Sequence, residues 1–99
     1  MLLTHARTLA QARSHLAALA DRASSLEASS AYEYVLIELD RIHHDATPAL
    51  ESTEPTHDGE TLYAIAGAAI QELTEHGVDS LQIELALIML SNAHDLEVV

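Results

Sequence analysis

Ninety-nine residues make one domain's worth of chain, and the absence of Cys excludes a disulfide framework and thiolate chemistry. With 48% apolar residues, global disorder is excluded, and with Tyr the only aromatic type, at three copies, the core must be aliphatic. The formal charge of −12 at neutral pH is uneven, a net +1 over residues 1–28 and −13 over residues 29–99; such a field repels nucleic acid and anionic membrane and attracts basic proteins.

Lysine is absent and all four basic residues are Arg. Coding bias or salt adaptation explains this about as well as a functional need for acidity. Cytoplasmic residence is the expected location. The opening Met-Leu-Leu-Thr-His-Ala-Arg lacks the basic-then-apolar order of a signal peptide. No stretch reaches the roughly 20 apolar residues of a membrane-spanning helix.

The first predicted element is a helix over residues 2–28. Leu9, Ala12, Leu16, Leu19, Ala23 and Leu26 recur at alternating spacings of three and four, a seam for shallow-angle helix packing. His5 is the seam's polar interruption. Ser24, Ser25, Ser29 and Ser30 mark a break, and Ser30 with Glu33 reads as a capping box opening a second helix over 31–46. Tyr32, Val35, Leu36, Leu39, Ile42 and His43 share one face of that helix. Glu33, Asp40, Arg41, His44 and Asp45 share the other.

Residues 47–59 read as a loop, because Pro48 and Pro55 deny it a long helix, and its charges are all acidic. The third helix, over 60–76, starts after Thr56 or Asp58 and stops at Gly77, a left-handed cap position. Leu62, Ile65, Ala66, Ala69, Ile70 and Leu73 form its buried face, and Gly67 among alanines suggests close backbone approach. Asp79, with Gln82 three residues on, caps a fourth helix over 80–95. From Leu81 to Leu90 this helix is apolar nearly all round, with only Glu84, Ser91 and Asp95 in a polar stripe. A helix of that kind belongs inside a bundle or between subunits.

The expected fold is therefore all-α: a small antiparallel bundle of about four helices in one domain, with helix four either wrapped by the other three or left partly bare. Three Ala-rich helices barely suffice to bury so continuous an apolar surface, so the second arrangement is favoured, a homodimer whose interface is the edge carrying Ile83, Leu87 and Leu90.

Seven histidines raise the question of metal. Asp40 and His44 stand one helical turn apart, Glu54-Pro-Thr-His57 has the Glu-x-x-His spacing of di-iron bundles, Glu72 and His76 are four apart, and His94 adjoins Asp95. Pro55 and the loop context oppose the second, and helix-end contacts explain the last two. No resident metal or other cofactor is expected. Protonation of the histidines would offset the negative charge near pH 6.5, with His5 and His43, both on apolar faces, resisting it or opening the bundle.

Catalysis finds no support: there is no glycine-rich phosphate loop, no nucleophile elbow and no obvious pocket to separate carboxylate pKa values. The expected function is a non-catalytic acidic module that binds a basic protein surface, of the inhibitor, immunity or nucleic-acid-mimic type, an analogy of size and charge. Glu51, Glu54, Asp58 and Glu60 of the loop region, with Asp40 and Asp45 on the adjoining helix end, are its expected contacts. The alternatives are a His/carboxylate metal-binding bundle and a purely structural oligomer subunit.

Overall fold

The structure, a computed structural model, describes residues 3–43 and 58–97. They form four α-helices, α1 (Leu3–Asp21), α2 (Leu26–Ile42), α3 (Gly59–Glu72) and α4 (Ser80–Glu97), with a 3-10 turn at Leu73–His76 between the last two.

The seam of α1 packs as its spacing predicts: Leu9, Ala12, Leu16 and Leu19 are buried. It ends sooner than expected. Ala23 and Leu26 continue the spacing on paper, yet the helix stops at Asp21 and Leu26 is 83% exposed at the start of α2. Side-chain oxygens compete here with the helical ladder. Ser25 Oγ accepts the Ala28 N–H at 3.1 Å as the N-cap of α2, and the Ser29 hydroxyl donates to the Ala20 carbonyl at 2.9 Å. The second helix thus begins five residues before the expected start, and Ser30 and Glu33 lie inside it.

The other stop and start signals act where the sequence puts them. Asp58 Oδ1 accepts the Thr61 N–H at 2.7 Å and caps α3. Gly77, at φ 91°, closes the 3-10 turn in the left-handed conformation, its N–H reaching the Thr74 carbonyl and that of Val78 the Leu73 carbonyl. Asp79 Oδ1 accepts the Leu81 N–H at 2.9 Å at the start of α4. Gly67 proves less demanding than expected, since a Cβ there would sit 3.8 Å from Leu90 Cδ2, an ordinary contact.

Each of α1 and α4 packs against both α2 and α3, so α1 and α4 occupy one diagonal of a four-cornered bundle and α2 and α3 the other. His5 at the start of α1 meets His43 just past α2 and His76 just past α3. At the opposite end Glu97 of α4 reaches Ser24, and His94 reaches Glu60 at the start of α3. All neighbouring helices are therefore antiparallel, while the diagonal pair α2 and α3 runs in one direction.

The expectation for helix four needs correction. It holds a corner of the bundle and the other three do not enclose it. Ile83, Ala86, Leu90 and Ala93 face the shared core, and Leu81, Leu85 and Ile88 point outward at 73%, 48% and 52% exposure. Ile83 and Leu90 are thus interior residues of one chain, and Leu87 is half-buried against the same core, so this edge is not left bare for a second copy. An all-round apolar helix carries no periodic signal to choose its inner face. Here Ala86 and Ala93 choose it, because their small side chains let neighbouring helices approach.

Candidate functional site

The acidic residues expected to bind a partner divide into two groups. Asp45, Glu51 and Glu54 lie outside the described residues. The other three already have partners within the chain. Asp40 forms an ion pair with Arg13, whose guanidinium is mostly enclosed and has its pKa lowered by burial. Asp58 caps α3, and the exposed Glu60 places Oε1 2.8 Å from His94 Nε2. Asp40, near the end of α2, is not brought together with Asp58 and Glu60, which sit at the other end of the bundle. Arg41, the one basic residue after residue 28, donates through Nε to Glu38 Oε2 at 3.1 Å. That bond holds the Glu38 carboxyl below its ordinary value.

The end carrying Glu60 is rich in carboxylates and aromatic rings. His94 stacks on Tyr63 with ring centroids 4.0 Å apart. Glu97 accepts the Ser24 N–H at 2.9 Å. Tyr32 is buried close by, and its phenol is pushed up to about 12, first by burial and then by the charges of Glu97, Tyr63 and Glu60.

The opposite end holds a histidine cluster that no spacing in the sequence reveals. His5 Nε2 lies 3.1 Å from His43 Nε2. His76 stacks on His5, with centroids 5.2 Å apart and planes 7° from parallel. Thr8 Oγ1 is 3.0 Å from the Thr4 carbonyl and 3.3 Å from both Glu72 Oε2 and His76 Nε2, linking the cluster to a carboxylate. His43 Nδ1 is 2.8 Å from the Leu39 carbonyl. A carbonyl only accepts, so Nδ1 carries the proton, and in the neutral ring the lone pair is on Nε2, facing His5. His5 must then donate from its own Nε2. Its pKa is lowered by burial first, then by His43, His76 and the chain's amino terminus.

These placements bear on the metal spacings. Asp40 is occupied by Arg13, while His44, Glu54 and His57 lie outside the described residues. Glu72 and His76 both address Thr8, and His94 turns to Glu60 and Tyr63. Among the described residues no group of three His, Asp or Glu side chains has the geometry to hold a metal ion. Nor is any helix among them long and apolar enough to cross a membrane.

No protein-family profile, curated protein or solved structure matches this chain. Its functional reading rests on its own residues. The sequence signal for the cluster was present but incomplete: His5 and His43 each interrupt an apolar face, which marks both as imidazoles drawn at least partly out of water and in need of partners. Nothing local says that they partner each other.

Proposed function

We propose that this chain is a non-catalytic acidic interaction module that uses the outward face of α4 to engage a basic, partly apolar protein surface. The observation that carries the reading is the ridge Leu81, Leu85 and Ile88, spaced i, i+4, i+7 on one side of α4 and exposed at every position. Exposed Glu84 and Asp95 flank it, and no Lys or Arg follows Arg41 in the sequence. A ridge of this kind suits a partner that offers apolar contact between arginines or lysines. A second copy would bring the same carboxylates against themselves. Interfaces draw most of their affinity from a few central apolar anchors, while charge sets steering and salt sensitivity.

A synthetic amphipathic helix with leucines along one face and arginines beside it tests this reading by titration calorimetry. The Arg peptide should bind, weaken as salt rises, and lose about tenfold or more in affinity against the Leu85→Gln/Ile88→Gln double variant. Its Glu-for-Arg counterpart should not bind. Equal binding to the variant would remove α4 from the reading, and no binding of the Arg peptide at low salt would end it.

A further inference from the structure

Histidine clusters differ from single buried histidines in that their members compete for protons. Here three rings from three separate elements converge: His5 on α1, His43 at the end of α2 and His76 in the 3-10 turn after α3. We propose that the His5–His43–His76 cluster is a proton-operated latch, holding these three elements together with at most one added proton and releasing them when a second arrives.

The hydrogen-bond geometry dictates the count. In the neutral cluster His5 Nε2–H donates to the lone pair on His43 Nε2 across 3.1 Å. A first proton from water adds to Nδ1 of His5, the ring nitrogen turned from His43, and the N–H···N bond survives with a charged donor. A second has two places to go, and both oppose the contact. His43 has one lone pair left, because its Nδ1–H is committed to the Leu39 carbonyl. Protonating it sets two N–H groups head to head. His76 lies face to face with His5, so charging both rings stacks two cations. Among the described residues, Thr8 on α1 and Glu72 on α3 also face the cluster. Glu72 reaches the cluster through Thr8, beside His76, and supplies a counter-charge there. The amino terminus adds to the repulsion at His5.

The sign follows from linkage. His5 in the fold holds its proton less tightly than an ordinary imidazole, owing first to burial and then to the charge that His43 and His76 carry when protonated and to the amino terminus. The native state therefore binds fewer protons than the unfolded chain below about pH 6.5. The stability this neutral ring contributes is complete above that pH and is lost as pH falls through the folded value.

Imidazole NMR of the full chain, from about pH 8 to about pH 5, reads the cluster directly, with melting temperatures measured alongside. His5 should titrate below an ordinary histidine, its curve should be coupled to those of His43 and His76, and the shifts should reach the Thr8 and Leu39 amides. In His5→Phe, which keeps a ring on His76 but removes the proton site, at least about half of the acid-induced fall in melting temperature should disappear. His43→Gln, a polar replacement, should reduce it in the same direction if His5→Phe fails to fold. Three uncoupled titrations in the wild type, or an unchanged pH dependence in the folded variants, would overturn the latch.

Discussion

The two ends of the bundle set their histidines in opposite company. At one end His5 contacts both His43 and His76, so a second proton added to the cluster meets a ring already charged. At the other, His94 faces a carboxylate, Glu60, across 2.8 Å. The comparison teaches that a histidine count and a net charge of −12 do not determine pH behaviour. The nearest one or two groups do. The molecule-wide negative field welcomes protons, but at a few ångströms, inside a partly buried cluster, local repulsion prevails.

The largest disturbance should abolish the distinction between ends. Ile70 is fully buried in the core that all four helices share, so Ile70→Ala should lower stability by about 2–5 kcal/mol. Denaturant unfolding measures this, and amide exchange should speed up at both ends together. A smaller effect isolates the carboxylate end. Tyr32 is held neutral to about pH 12, against an ordinary value near 10. What its neutral phenol contributes is fully present below about pH 10 and is lost as pH rises through 12. Urea midpoints from about pH 8 upward should fall less steeply in Tyr32→Phe than in the wild type. The smallest effect belongs to His94→Gln. Glu60 is 79% exposed, so the pair is screened and its loss should cost a few tenths of a kcal/mol, about the size typical of surface pairs. Urea midpoints at a single neutral pH read that small loss against the far larger one of Ile70→Ala.

Much of the fold was legible because helix faces and caps are local. The run Leu9, Ala12, Leu16, Leu19, the cap at Asp58 and the stop at Gly77 all state their roles within a few residues. The break after Asp21 was misplaced because Ala23 and Leu26 keep the seam's spacing while four serines offer competing caps. Only the hydrogen bonds of Ser25 and Ser29 decide between them. The inner face of α4 was illegible because apolar residues surround it, leaving Ala86 and Ala93 as the deciding feature. The candidate site was less legible than the fold. His5 and His43 are 38 residues apart, and Thr8 and His76 are 68 apart. Their meeting depends on α2 and α3 both ending beside the start of α1, a matter of helix direction that no spacing encodes.

That shared direction of α2 and α3 also shapes how the chain reaches its native state. The bundle consists of two hairpins, α1 with α2 and α3 with α4. The contact of α3 with α4 is the slightest of the four neighbouring pairs, and α1 with α3 and α2 with α4 are the most extensive. Each hairpin is thus held more by the other than by itself. Neither can complete a core while the ribosome still holds the rest, and the molecule should gain and lose its order in one cooperative step, with no half-folded species to rest in.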